Sequence, residues 1–235
     1  MSISHRWLFF CLRSIVIVRF NMLSLYDLPI SSYCCKIRII LRHKGLEWKS
    51  IPPPGGYGSD AYCKLVPSGT IPALDHDGFI VGESDAISEY LNELEPHPTM
   101  LPLKIQDRAT SRALSRFHDT RIEPLIRAYF SQISLGNRDI GFITDNTVLL
   151  EKRFNQLDQI ATPDPLWTGC DLSLADCGFV PSFAILRCLQ AVLGFKLALP
   201  KALYNYETAL CEHPSVCEEY NAYVQALQIW AASKE

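Results

Sequence analysis

Between residues 23 and 94 the apolar positions change spacing every few residues, and from residue 106 onward they keep a helical one. Leu23-Ser-Leu-Tyr26 is stopped by Asp27 and Pro29, which predicts a short strand. Ser32 to Lys44 repeats Ile37, Ile40 and Leu41 with basic residues between them. A serine opens that run and Gly45 closes it, so it reads as a helix with an N-cap serine and a C-terminal glycine. Glu47 to Ile51 is a second strand, and Pro52-Pro-Pro-Gly-Gly56 leaves no helical option. A short helical piece spans Ser59 to Val66. Ala73–Asp75 and Phe79–Val81 flank His76-Asp-Gly78, a hairpin with an Asp-Gly turn, and Ser84 to Leu94 is again a helix.

The second half reads as helices at about 106–132, 144–161, 173–190, 200–211 and 214–231. Glu95-Pro-His-Pro-Thr-Met-Leu-Pro102 separates the halves, because three prolines in eight residues cannot continue a helix. The expected division is an extension at 1–21, an α+β domain at 22–95, a linker at 96–105 and an all-α domain at 106–235.

Composition narrows the function classes. With 48% apolar and 20% charged residues the chain is neither disordered nor fibrous. A net charge of −3 gives no reason to expect a nucleic-acid or anionic-membrane partner. Nine cysteines, at positions 11, 34, 35, 63, 170, 177, 188, 211 and 217, are odd in number and irregular in spacing. They form neither a C-x-x-C pair nor a Cys/His zinc pattern, so the expectation is free thiols, a reducing, cytoplasmic setting and no metal.

Trp7 to Val18 is apolar, but Arg13 interrupts it, and a membrane span needs about 20 mostly apolar residues. Val18-Arg-Phe-Asn21 lacks the small residues of a signal cleavage site. Residues 1–21 therefore read as an extension upstream of a start at Met22, with a membrane anchor or a targeting segment as the alternatives.

The βαβ–α–ββα order followed by helices resembles the cytosolic glutathione transferase family, whose N-terminal domain is thioredoxin-like. Four stretches carry the resemblance: Leu25-Tyr26 with Ser31-Ser32, Pro67-Ser-Gly-Thr-Ile-Pro-Ala-Leu74, Gly82-Glu-Ser-Asp-Ala-Ile-Ser-Glu-Tyr-Leu91, and Leu172-Ser-Leu-Ala-Asp176. They stand in the family's order, and the resemblance covers about residues 23 to 231. The resemblance implies glutathione as co-substrate, a small electrophilic, partly apolar second substrate, and a homodimer. It implies a cis bond at Ile71-Pro72 that turns the main chain of Ile71 toward the cysteinyl part of glutathione. It also implies that Ser84 and the free N–H groups beside it hold the γ-glutamyl carboxylate, with Glu83 pairing the ammonium. Ser173-x-x-Asp176 is a reciprocal capping pattern that starts a buried helix and has no catalytic role.

Such an enzyme must hold a thiolate. A thiol with a pKa of about 8.5 is only a few per cent ionised at pH 7, and lowering it by about 2 units requires about 2.7 kcal/mol of preferential anion stabilisation. A hydroxyl donor at the positive end of a helix supplies this kind of stabilisation. The resemblance puts Ser31 at the serine used by theta- and zeta-like classes, as a donor to the glutathione sulfur and not as a nucleophile. Ser32 is the second donor and the expected cap.

Cys34 is three residues from Ser31 and can share its helix face, which opens a thiol-dependent lyase or reductase alternative; Cys35 reads as core. Arg108, Arg112 and Arg116 share one face of the 106–132 segment and read as solvated or at a subunit contact. His118 and Arg121 are the candidates for the acceptor site, while Tyr129 and Phe130 read as core. A zeta-like isomerase, in which glutathione adds and leaves again, and a non-catalytic binding domain stay open beside the transferase.

Overall fold

A computed structural model describes residues 22–169 and 171–234, so the expected extension lies outside the described residues. Strands β1 (Leu23–Tyr26), β2 (Trp48–Ile51), β3 (Ala73–His76) and β4 (Phe79–Gly82) form one sheet in the order β2-β1-β3-β4. β1 pairs parallel with β2 and antiparallel with β3, and β3 pairs antiparallel with β4. The parallel pair requires a crossover, which α1 (Ser32–His43) provides. Asp77 (φ 52°) and Gly78 (φ 92°) both lie at positive φ, the conformation a two-residue hairpin turn needs. Helices α2 (Asp60–Cys63) and α3 (Ser84–Leu94) complete the thioredoxin-like domain.

The all-α domain contains α4 (Ile105–Phe117), α5 (Glu123–Ala128), α6 (Ile140–Ile160), α7 (Phe179–Leu193), α8 (Lys201–Glu212) and α9 (Pro214–Ala232). The expected single helix at 106–132 is broken. Pro124 has no N–H to continue the α ladder, and the N–H of Glu123 reaches back to the carbonyl of His118, giving one π turn over His118–Ile122. A 3₁₀ turn at Tyr129–Gln132 ends the segment.

The helix expected from residue 173 begins at Phe179. Asp176 is fully buried and accepts from the Ser173 N–H (2.8 Å), the Ser173 hydroxyl (2.5 Å), the Trp167 N–H (3.2 Å) and the Tyr206 hydroxyl (3.0 Å). The capping pattern thus ties down the turn before α7.

α1 is where the two domains meet. Ile37, Ile39, Ile40 and Leu41 are fully buried, and α1 packs against α3 on one side and α7 and α9 on the other. Two of its cations, Lys36 and Arg38, are therefore also interior. Buried charges need partners, and both find carboxylates that include one from the helical domain.

Candidate functional site

A cleft of about 930 Å³ opens between the domains. Its floor is the turn from β1 into α1. Ser31 is the N-cap residue of α1, and its Oγ accepts the Cys34 N–H at 3.3 Å. That bond uses a lone pair and leaves the Ser31 O–H proton available, beside the positive end of a 12-residue helix. The expected roles of the two serines as caps are exchanged: Ser32 does not cap α1. Its hydroxyl is buried, lies 3.5 Å from Glu123 Oε1 and accepts from Arg127 Nη2 at 3.4 Å.

The loop before Ser31 is held from behind. Arg38 donates to the Asp27 carboxylate (2.5 Å) and to the carbonyl of Pro29 (3.2 Å). From α9, Glu219 accepts from Arg38 Nε (2.6 Å), and the Tyr223 hydroxyl donates to the Ile30 carbonyl (3.2 Å).

Ile71, Pro72, Glu83 and Ser84 line the same cleft, and the Ile71–Pro72 bond is cis. Glu83, not Ser84, is the N-cap position of α3. It makes no side-chain cap bond and sits at φ 65°, a conformation costing a residue with a Cβ about 1–3 kcal/mol. Ser84 is the first helical residue, and its hydroxyl has no hydrogen-bond partner among the described residues. The start of α3 therefore presents free N–H groups and a free hydroxyl to the cleft, a site for an anion.

The opposite wall comes from the helical domain through Arg116, Glu123, Arg127, Phe130, Ile185 and Trp230. Arg127 is ion-paired with the buried carboxylate of Glu123 one turn away. Its guanidinium lies 5.9 Å from the Tyr33 ring and 5.7 Å from the Phe130 ring, half exposed to the cleft. Tyr33, from α1, also lines the cleft, and burial followed by the charge of Glu123 holds its phenol well above its ordinary range. Phe130 packs edge-on against Trp230 of α9 (4.9 Å between centroids), and both line the pocket while resting on the core behind it.

Three expected residues are placed elsewhere. Cys34 is fully buried, points its Sγ at the Tyr26 carbonyl (3.9 Å), and has its thiol pushed up to about 12 by burial and then by Asp27. Cys35 is likewise buried core. His118 does not reach the cleft: it is 2% exposed, with Nδ1 on Asp119 Oδ1 (2.7 Å) and Nε2 on the Ser182 hydroxyl (2.7 Å). A Cβ on Gly178 would lie 2.9 Å from its ring, so only glycine leaves room for this histidine. Arg121 lines a separate groove of about 590 Å³ between α4, the π turn and α6. Of the Arg108–Arg112–Arg116 stripe, Arg112 pairs with Glu89 (2.6 Å) and Arg116 borders both cavities. Arg116, Asp119, Glu123, Arg127 and Trp230 are the wall residues that periodicity did not reveal; Pro124, which displaces the helix, was the available signal. No group of three or more His, Cys, Asp or Glu side chains among the described residues could hold a metal ion.

Residues 25–99 match the family model described as "Glutathione S-transferase, N-terminal domain". A maleylacetoacetate isomerase from Rattus norvegicus is 31% identical over 168 residues, covering 68% of this chain and 76% of that protein. A stringent starvation protein A homolog from Coxiella burnetii is 27% identical over 195 residues, 83% of this chain and 90% of that one. In fold, the chain is similar to a tau class glutathione S-transferase from mango, Mangifera indica, with a TM-score of 0.75 at 21% identity, covering 91% and 98% of the two chains. The order of elements, the sheet, the cleft and these similarities agree: the chain belongs to the cytosolic glutathione transferase family.

Proposed function

We propose that the protein is a glutathione-dependent transferase that holds the glutathione thiolate against an electrophilic, partly apolar small molecule. One observation carries the reading: Ser31, Ile71-Pro72 and Glu83-Ser84, which are remote in sequence, line a single cleft that contains the starts of two helices. In this reading α3 takes the γ-glutamyl carboxylate and Ile71 the cysteinyl backbone. Ser31 donates its O–H to the sulfur, while the Cys34 N–H bonded to its Oγ polarises the hydroxyl. The thiol proton leaves to solvent and the sulfur bonds to the acceptor carbon, which either expels its leaving group or, in an addition, gives up a double bond whose far carbon takes a proton from solvent. The acceptor lies against Phe130, Ile185 and Trp230. A reducing cytoplasmic setting and a homodimer belong to the same reading; exposed Ile140 and Val148 on α6 offer an apolar surface for a second copy.

A specific observation favours one variant, the isomerase. Arg116 and the half-exposed Arg127, which is already paired with Glu123, stand on the acceptor wall within reach of a carboxylate on an unsaturated acceptor, and the relative from rat is named for isomerising maleylacetoacetate. Glutathione would then add, allow rotation about the former double bond and leave.

Conjugation, cis–trans isomerisation and disulfide-exchange assays on wild type, Ser31→Ala and Cys34→Ser test the reading. Loss of conjugation or isomerisation in Ser31→Ala alone supports it. Loss only in Cys34→Ser overturns it in favour of a thiol mechanism. Glutathione binding without turnover across electrophiles points to a binding domain.

A further inference from the structure

Lys36 is 1% exposed, and its ammonium lies at the centre of a polar cluster joining the domains. It donates to Asp85 Oδ1 at 2.6 Å, to Asp119 Oδ2 at 3.2 Å and to the Ser115 hydroxyl at 3.5 Å. Ser115 donates in turn to Asp85 at 3.0 Å, and His118 holds the other oxygen of Asp119. Burial alone would lower the lysine pKa, but Asp119 and Asp85 outweigh it and keep the ammonium charged. Both carboxylates lie on the cleft wall, Asp85 directly after Ser84 in the first turn of α3.

This arrangement has an electrostatic consequence. Glu83, Asp85, Asp119 and Glu123 put four carboxylates around the cleft against the guanidiniums of Arg116 and Arg127, and Arg127 is already ion-paired with Glu123. Asp85 and Asp119 share one lysine, and Glu83 has no ion pair among the described residues. Without Lys36, two uncompensated carboxylates would stand beside a helix start that is otherwise built to hold an anion. We propose that Lys36 is a positioning residue for glutathione: from inside the domain interface it neutralises Asp85 and Asp119, so that the start of α3 can accept the γ-glutamyl carboxylate.

The inference rests on the glutathione reading above and adds to it a buried cation that does not touch the ligand. The test is calorimetric titration with S-methylglutathione and with its analogue carrying a carboxamide in place of the γ-glutamyl α-carboxylate. Wild type should prefer the carboxylate by about tenfold or more. Lys36→Gln, which keeps hydrogen-bonding capacity but removes the charge, should lose about tenfold toward the carboxylate ligand and no more than about threefold toward the carboxamide. Lys36→Met serves as a second uncharged variant, and Lys36→Arg should restore the preference. Equal losses on both ligands, or none, overturn the proposal, because a merely structural lysine would not distinguish them. Equal wild-type affinity for the two ligands overturns it without any variant. A wild type that binds neither ligand overturns the glutathione reading itself.

Discussion

Two walls face each other across the cleft, and different parts of the chain make them. The thioredoxin-like wall is mostly main chain: a capped helix start at Ser31, a cis-proline turn at Ile71-Pro72 and an open helix start at Glu83-Ser84. Buried ion pairs behind it, Arg38 with Asp27 and Glu219 and Lys36 with Asp85 and Asp119, fix where those groups point. The helical wall is side chain: Arg127 is half exposed, and Phe130 and Trp230 form an aromatic edge. Main-chain groups cannot be exchanged by substitution and suit a constant co-substrate. Long side chains can, and suit a variable one.

The largest expected effect tests the rigidity of the first wall. Glu219→Ala leaves the buried Arg38 with Asp27 as its one carboxylate, removes a partner of Arg42, and should lower unfolding free energy by about 3 kcal/mol in a denaturant titration. A change under about 1 kcal/mol would mean that α9 does not brace the Ser31 loop.

Next comes the contrast between adjacent serines. Ser31→Ala should reduce kcat/KM about 100-fold while costing about 1 kcal/mol of stability through the lost cap. Ser32→Ala, whose hydroxyl is committed to Glu123 and Arg127, should lose only a few-fold. The reverse order would move the sulfur donor to Ser32.

Arg127→Met probes the second wall, and also releases Glu123 and the Ser32 hydroxyl. It should lower kcat/KM about tenfold for acceptors carrying a carboxylate and leave glutathione KM within about twofold. A parallel rise in glutathione KM would show that the two walls are not separable.

The smallest effect is one of pH. Half-buried His43 of α1 is depressed to about 4 by burial and by neighbouring His213 and Lys44, against the pull of Asp171. His213 is lowered too, by burial. The fold therefore favours neutral rings: their contribution is complete above about pH 6.5 and is lost as pH falls toward 4. Because His43 contacts Ser215 at the start of α9, melting between pH 7 and 4.5 should show a loss of about 1 kcal/mol, reduced by solvent screening. A His43→Gln variant should flatten that slope.

Local signals are readable in the sequence itself. Strand alternation, the Asp-Gly turn, the proline loop and the serines at helix starts depend on neighbours within a few residues, and Ser84 to Leu94 was delimited to the residue. The helical wall was less readable because its members come from α4, α5, α7 and α9 and meet only after packing. His118 and Arg121 read as acceptor-site candidates, but in the π turn before Pro124 one points inward and the other lines the outer groove. Lys36 is one of the basic residues between the apolar positions of its helix, and nothing in that helix announces Asp85 and Asp119.

The grip of α9 on the Ser31 loop has a consequence for the halves as units of exchange. Arg38 and the Ile30 carbonyl are each served by a residue nearly two hundred positions away, Glu219 and Tyr223. Cut from its last helix, the thioredoxin-like half would keep its sheet but lose the brace that aims its serine. It is not a transplantable cassette: a chimera that swaps the front half must bring a matching tail.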